Sequence, residues 1–357
     1  MESHEITTDV VNAVIINNDS QDCIKLQSSS FCAVSTQDHR WVCGKYDEVP
    51  KIRKTYNIAK TGLGEYPIYR VAGNSFPDNT SITDGQLKIL GWYLTDGTRH
   101  NGAYGIFLYQ STKRKKNKQV YENMISTLVA EKISYTDRED ANHYHTIYIS
   151  KCDFTSWMHY NFVQRVLTFE FISTLSMRQA KILVHAMLQG DGSGVDGNGD
   201  FLKNKNIQFC CSTKEKCDAF QYLCYIAGYA TNSYYTDKTN KNYPSMNHQY
   251  DSMDNIPVPR NGYYLVSVLK VIRAQIYKEH VSHVDVDGVW CVSTGNGTWI
   301  ARRNGITFIT GNSIIQGSAA DQSKMAMLKL ENDERWQRIC GRLLVPIHDR
   351  LLPNKLS

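Results

Sequence analysis

LKILGWYLTDG at residues 87–97 and ILVHAMLQGDG at residues 182–192 are the two stretches that decide the fold of this chain. Each is an apolar run of helical length that ends in Asp-Gly. Each also follows a helix-start signal, because Thr83 with Gln86 and Ser176 with Gln179 have the spacing of a capping box. The sequence therefore predicts two similar helices.

Small residues within these helices predict that the two pack closely. Gly91, Ala186 and Gly190 leave room for the two backbones to approach each other. Such packing would bring Asp96 and Asp191 together at the same end of the pair, and two close carboxylates can bind a divalent cation. The alternative is that Asp-Gly only ends each helix, without a metal. One copy would favour that alternative, whereas two symmetric copies favour the metal site.

The similarity continues beyond the helices. Residues 106–113 read IFLYQSTK, residues 207–214 read IQFCCSTK, and each stretch precedes another helical segment. A shared order of helix, strand and helix indicates an internal repeat. The sequence predicts a pseudo-twofold domain of helices and strands from about residue 80 to residue 260.

These paired elements resemble the two halves of LAGLIDADG homing endonucleases. The resemblance implies an αββαββ-type domain whose antiparallel strands form a saddle in the major groove of double-stranded DNA. It also implies that Asp96 and Asp191 are catalytic acids that hold Mg²⁺ between two scissile phosphates. Lys113 and Lys214, at matched positions, are candidate DNA contacts, and the alternative is that both are ordinary surface lysines.

The segments on either side of the repeats carry a second set of candidate residues. Upstream, a Thr-x-x-His spacing lets a hydroxyl and an imidazole address one peptide group, and a tryptophan follows. Downstream, a cysteine begins a segment rich in β-forming residues, which ends in Thr-Gly-Asn-Ser. The candidates are Thr36, His39, Trp41, Cys291, Thr310, Asn312 and Ser313.

Together these residues resemble the splicing blocks of class 3 inteins, whose splicing domain is an all-β domain of the Hint type. The resemblance implies that Cys291 attacks an upstream peptide carbonyl, that the acyl group passes to Ser313, and that Asn312 then cyclises. His39 and Thr36 would polarise the upstream peptide. Taken singly, Cys291 could be a buried strand thiol and His39 a core imidazole.

The last segment, residues 313–357, resembles a fragment of the DNA polymerase I family (family A). Residues 316–321 read QGSAAD, and Asp349 follows a histidine as a metal-binding aspartate does in that family. The sequence predicts a short helical tail, too small for a core of its own.

The fold class predicted for the whole chain is α+β, with an all-β splicing domain interrupted by the endonuclease. Residues 1–75 and 262–312 would form the two parts of the splicing domain, and residues 80–260 the endonuclease. No stretch before His39 resembles the first splicing block. We therefore expect no splicing in cis, and a separate intein N-terminal fragment is a candidate partner.

Composition limits the classes of protein that fit. The 357 residues are 41% hydrophobic and carry a formal charge of +5, which suits a globular chain with basic patches. No apolar stretch approaches 18 residues, so we expect a soluble, cytoplasmic protein without a membrane partner. Three functions stay open: a DNA endonuclease, the C-terminal partner of a split intein, or a degenerate DNA-binding remnant.

Overall fold

A computed structural model describes residues 6–7, 9–45, 48–62, 64–100, 104–237, 262–311, 342–347 and 350–354. Three predicted site residues, Asn312, Ser313 and Asp349, lie outside these ranges, as does the helical segment predicted after residue 313. The α-helices are α1 (Thr55–Thr61), α2 (Asp84–Asp96), α3 (Lys115–Ala130), α4 (Asp153–Asn161), α5 (Phe169–Ser173), α6 (Met177–Asp191) and α7 (Lys214–Ile226).

The strands fall into three groups along the chain. Before α2 come β1 (Val11–Asn17), β2 (Gln21–Ser28), β3 (Phe31–Thr36), β4 (Arg40–Cys43), β5 (Lys51–Lys54) and β6 (Ile68–Tyr69). Between α2 and residue 269 come β7 (Gly97–Arg99), β8 (Ile106–Ser111), β9 (Tyr135–Glu139), β10 (Tyr144–Ile149), β11 (Gly192–Ser193), β12 (Ile207–Cys211), β13 (Ala230–Asp237) and β14 (Gly262–Leu269). The rest are β15 (Arg273–Ala274), β16 (Val281–Val286), β17 (Val289–Thr294), β18 (Thr298–Arg303), β19 (Ile306–Gly311), β20 (Arg342–Ile347) and β21 (Arg350–Asn354).

Both predicted capping boxes are present at the starts of α2 and α6. The Thr83 side chain accepts a hydrogen bond from the Gln86 amide, and the Gln86 side chain accepts one from the Thr83 amide. Ser176 and Gln179 make the same reciprocal pair. Each box satisfies two amides that a helix start otherwise leaves without partners.

The predicted internal repeat is visible in two sheets of identical strand order. The first sheet runs β7-β8-β10-β9 and the second β11-β12-β14-β13, with antiparallel neighbours throughout. The register also matches, because Gly97 pairs with Leu108 and Gly192 pairs with Phe209. The second sheet includes β14 and so extends past residue 260, where the sequence placed the end of this domain.

The flanking strands combine across the sequence into one β-rich half. Strands from before the repeats pair with strands from after them, in β1 with β17, β2 with β16, β6 with β15, and β4 with β19. The chain leaves this half after β6 and returns at β15, and these two strands are direct antiparallel neighbours. The repeats are therefore inserted into the β-rich half. One backbone pairing, Asn232 with Ile306, joins β13 of the second repeat to β19.

Each half has its own apolar core. The larger core joins both repeats through α2, α3, α6 and α7 and includes Trp92, Leu183 and Phe220. The smaller core lies in the β-rich half and includes Trp41 and Phe308.

A fully buried arginine ties the two halves together. The Arg70 guanidinium donates from Nε to the Thr307 carbonyl (3.1 Å) and from Nη2 to the Thr231 carbonyl (2.6 Å) and to Oδ1 of Asn232 (2.7 Å). Thr231 and Asn232 belong to the second repeat, whereas Thr307 lies in β19. Burial lowers the pKa of Arg70 to about 10, so the group stays charged at neutral pH.

The described residues of the tail form a hairpin of β20 and β21. A period-two arrangement of Leu343, Val345 and Ile347 suits a strand. Among the residues that the structure describes, no helix is long and apolar enough to cross a membrane.

Candidate functional site

The two repeat helices touch at their small residues, as the sequence predicted. A Cβ on Gly91 would lie only 2.5 Å from the Ala186 Cβ, and one on Gly190 would lie 2.2 Å from Oγ1 of Thr95. The same position on Gly190 is 3.0 Å from a carboxylate oxygen of Asp96. Asp96 therefore lies against the last turn of α6, which ends at Asp191.

The two carboxylates share one electrostatic environment. The pKa of Asp96 is raised to about 6, first by burial and then by the negative charge of Asp191, while Arg165 opposes the rise. Burial also raises the pKa of Asp191, against the opposing charges of Lys216 and Arg165. Two acids are thus held close together with cations nearby, the arrangement expected of a cation-binding or catalytic pair.

Arg165 is a member of this site that the sequence did not predict. It ends a short 3-10 turn, Val163–Arg165, in the connection between the repeats. Both Gln164 and Arg165 adopt left-handed backbone conformations, with φ of 58° and 59°, which are strained for side chains of this size. Nη1 of Arg165 donates to the carbonyls of Thr95 (2.8 Å) and Gly97, at the C-terminal end of α2. This residue occurs once, so a comparison of the repeats could not reveal it.

Lys216 is the second unpredicted cation. It lines a cavity of about 310 Å³ together with Asp191, Arg165 and Ser212. Burial lowers its pKa, as does the neighbouring Arg165. The predicted Lys214 instead binds Asp218 at 2.8 Å, one helical turn away.

The other predicted DNA contact, Lys113, is exposed in the turn before α3, where its amide donates to Oγ of Ser111 (3.4 Å). Lys113 therefore precedes its helix, whereas Lys214 is the first residue of the matching helix. The two lysines are not equivalent in the structure, although they match in sequence.

The outward face of the first sheet carries a row of stacked rings. Phe107 stacks on Tyr109 with centroids 6.2 Å apart, Tyr109 on Tyr144 at the same spacing, and Phe107 contacts Tyr148 at 5.1 Å. Burial and the charge of Asp96 both raise the pKa of Tyr144. The charge of Asp96 thus acts on one end of this row of rings, at Tyr144.

The acid pair suits a hard divalent cation. Carboxylate oxygens are the donors that Mg²⁺ and Ca²⁺ prefer, and a cation between two acids would remove the repulsion that raises the pKa of Asp96. Over the described ranges, no cluster of three or more His, Cys, Asp or Glu side chains could bind a metal. Asp96 and Asp191 would accordingly need further oxygen ligands from a substrate or water.

A second cavity, of about 420 Å³, lies in the β-rich half. Five of the seven residues predicted for acyl transfer line it: Thr36, His39, Trp41, Cys291 and Thr310. They come from β3, β4, β17 and β19 and from the turn between β3 and β4. Segments far apart in the sequence thus meet at one site.

His39 and Thr310 are in direct contact in this cavity. Nε2 of His39 lies 2.5 Å from Oγ1 of Thr310. Burial lowers the pKa of His39 to about 4, so the imidazole is neutral at pH 7. A neutral imidazole beside a hydroxyl can accept or deliver a proton, as an acyl-transfer site requires.

Trp41 is buried and lines the same cavity. Its Nε1 donates to Oγ1 of Thr55 (2.8 Å), its ring lies 4.8 Å from the His39 ring, and its backbone pairs with Thr310. Cys291 is 6% exposed and lies on β17 between the exposed Trp290 and Val292.

Structural neighbours of this chain include LAGLIDADG homing endonucleases. Mesophilic variants of the homing endonuclease I-DmoI match 52% of this chain and 89% of their own, with 9% identity and a TM-score of 0.35. I-DmoI in complex with DNA and Mn matches the same shares with 9% identity and a TM-score of 0.34. The N-terminal LAGLIDADG domain of DUF199/WhiA matches 54% of this chain and 78% of its own, with 8% identity and a TM-score of 0.30.

At such identities and TM-scores, this likeness by itself decides neither the fold nor the activity of the chain. No protein-family profile and no curated protein matches the sequence.

Proposed function

We propose that the chain is a metal-dependent DNA endonuclease that cuts both strands of a specific double-stranded site. The observation that carries the proposal is the acid pair: Asp96 and Asp191 end two duplicated helices in direct contact, and the charge of one raises the pKa of the other. Two acids in a twofold setting suit two cuts in antiparallel strands. The paired sheets of matched register would lie against the DNA.

The two acids and the two neighbouring cations would have different roles in this reaction. Asp96 and Asp191 would hold Mg²⁺ by their carboxylates, and an ion held there would lower the pKa of water and stabilise negative charge on a phosphate. Lys216 is half-buried beside Asp191 and would stabilise the charge that develops on the phosphate. Arg165 fixes the end of α2 through two backbone carbonyls and keeps the Asp96 carboxylate in place.

The decisive experiment is a cleavage assay on linear DNA. The substrate carries an uninterrupted family A polymerase gene around the QGSAAD codons, because the tail resembles that protein and suggests the insertion point. We expect a double-strand cut with Mg²⁺ that is lost in both Asp96→Asn and Asp191→Asn. Asp19→Asn, at an exposed aspartate between β1 and β2, is the matched control and should cut normally. A protein that binds this DNA but never cuts it would contradict the endonuclease proposal and favour the split-intein partner or a degenerate DNA-binding remnant.

A second function is favoured by the cavity in the β-rich half. We infer that this half is a Hint-type splicing domain of an intein inserted in a polymerase, and that it acts with a separate N-terminal fragment. Support comes from the shared cavity and the contact between His39 and Thr310. Cys291 would attack an acyl group, His39 and Thr36 would polarise the scissile peptide, and Trp41 would position His39. Asn312 and Ser313 would complete the later steps.

Ligation after mixing with a candidate N-terminal intein fragment tests this second function. We expect a product of joined flanking sequences, its loss in Cys291→Ala, and its retention in Cys152→Ala, which removes an exposed thiol that does not line the cavity. Absence of both ligated product and any thioester on Cys291 would leave the cavity without this role.

A further inference from the structure

A depression of about 460 Å³ on the β-rich half is lined mainly by cationic and polar side chains. Its lining consists of Arg40, Ile52, Arg53, Lys54, Asn57 and Tyr66, and no carboxylate is among them. Three of these residues belong to β5, whose sequence is Lys-Ile-Arg-Lys. Strand β5 pairs with β4 along one edge. Positive charge is thus concentrated on a strand next to an open depression.

The chemistry of this lining suits phosphate. The Arg53 guanidinium lies over the Tyr66 ring at 5.2 Å, which limits its freedom and directs its donors. Lys54 binds Asp38 at 2.8 Å, but both groups are about half exposed, and such surface pairs contribute only about 0–1 kcal/mol. Exchange of Asp38 for a phosphate as the partner of Lys54 therefore costs little. Asn57 adds an amide donor.

Strand pairing connects this depression to one end of the proposed DNA-binding saddle. From β13 of the second repeat the sheet continues through β19 and β4 to β5. Three strand spacings of about 4.8 Å amount to about 14 Å, or roughly four base pairs at about 3.4 Å each. The first repeat has no corresponding connection among the described strands, so the arrangement is one-sided.

Side-chain contacts hold the two halves at this spacing. Beside Arg70, the Gln221 amide of α7 donates to the Gly305 carbonyl (2.9 Å), and Arg302 binds Asp218 at 2.5 Å. Gly305 has a φ of +72°, and a Cβ there would lie 2.0 Å from the Ser233 carbonyl oxygen. The β-rich half therefore packs directly against α7 and β13 with little room to shift.

We propose that the basic depression formed by Arg40, Arg53 and Lys54 binds DNA backbone phosphates just outside the half-site covered by the second repeat. The DNA footprint is then asymmetric and longer on that side. This inference rests on the proposed function, because it assumes that the DNA duplex lies against the paired sheets of the two repeats. It adds a sequence-independent contact made by the β-rich half.

Arg53→Ala/Lys54→Ala tests this inference by equilibrium binding and hydroxyl-radical footprinting. The probe is a duplex of about 40 base pairs from the uninterrupted polymerase site. Each lost phosphate contact lowers the slope of log K against log salt by about 0.9, so we expect a slope smaller by roughly 1–2. Protection should recede at one end only, by about four base pairs. Lys88→Ala, at an exposed lysine of α2, should change neither measurement.

Three outcomes separate the possibilities. Unchanged slope and footprint, with normal binding and a normal melting temperature, overturn the basic depression as a DNA contact and leave the endonuclease proposal intact. No binding of the duplex by the unmodified protein overturns both proposals. Inorganic phosphate at 10-fold excess over the unmodified protein should not displace the duplex. Displacement at this concentration would overturn the DNA contact and assign the depression to a free phosphate ligand.

Discussion

At the residue scale, the acid pair makes the unbound protein less stable than it could be. Asp96 has a pKa of about 6 in the folded chain against an ordinary value of 3.8. Between these two pH values the folded state binds more protons than the unfolded state, so stability falls as pH rises. Above pH 6 the penalty is fully present, and it is on the order of 2–3 kcal/mol before solvent screening.

We therefore expect Asp96→Asn to stabilise the metal-free protein while it abolishes cleavage. The gain should be about 1–2 kcal/mol at pH 8 and near zero at pH 4. Thermal unfolding in chelator at both pH values measures it. Asp78→Asn is an opposite control, because hydrogen bonds from Arg178 and Ser176 lower the pKa of Asp78, and its loss should destabilise the fold at neutral pH. An equal gain for Asp96→Asn at both pH values would contradict the charge explanation.

At the scale of elements, the contact of α2 with α6 depends on the absence of side-chain atoms. Gly91 faces Ala186 with no space for a second methyl group. We expect Gly91→Ala to destabilise the protein by about 1–3 kcal/mol through overpacking. The exchange Gly91→Ala/Ala186→Gly should recover most of this loss in chemical unfolding, because the total volume at the contact is restored.

Gly73→Ala, outside the helices, is the control for an added methyl group without a clash, since its new Cβ would meet only the Met177 sulfur at an ordinary 3.8 Å. Equal effects at positions 73 and 91 would mean that helix contact is not the cause. Mg²⁺ affinity is a second measurement on the same variants. It should fall in Gly91→Ala and recover in the exchange variant, because the helix contact holds the two acids together.

Local signals explain how much of these elements could be predicted from the sequence. The capping boxes at Thr83 and Ser176 depend on residues three positions apart, so both helix starts could be predicted from the sequence. Duplication made the strands and the meeting of Asp96 with Asp191 predictable. Arg165 was not, because its position depends on a strained turn in an unrepeated segment.

The lysine beside the acids could not be identified from the sequence for a similar reason. Sequence matching aligns Lys214 with Lys113, but α7 begins at Lys214 and directs its ammonium group along the helix to Asp218. Lys216, two residues later, is the lysine whose pKa is affected by the charge of Asp191. Which side of a helix start faces the site depends on tertiary packing, which one sequence does not specify.

At the scale of the whole molecule, Arg70 couples the stability of the two halves. Its three hydrogen bonds reach carbonyl and amide oxygens in both halves, whereas its Nη1 is buried without a partner among the described residues. We expect Arg70→Met to cost about 2–4 kcal/mol and to split denaturant unfolding into two steps. Tryptophan fluorescence, compared with circular dichroism, would reveal the separation.

Arg99→Met is the matched control for Arg70. Arg99 also donates to backbone carbonyls, those of His159 and Phe162, but all partners lie within the repeats. We expect this change to destabilise the protein without splitting the transition. A single transition in Arg70→Met, detected equally by both methods, would show that other contacts suffice to couple the halves.

The pairing of β6 with β15 has a consequence for the history of the gene. The inserted repeats begin and end at two strands that are already hydrogen-bonded neighbours, with Tyr69 opposite Arg273. A recombination event that removed the intervening codons would join two chain ends a single strand spacing apart, and a hairpin turn could close them. The path of the β-rich half would thus stay continuous without the inserted segment, but this half would lose the repeat partners of Arg70 and the pairing of β19 with β13.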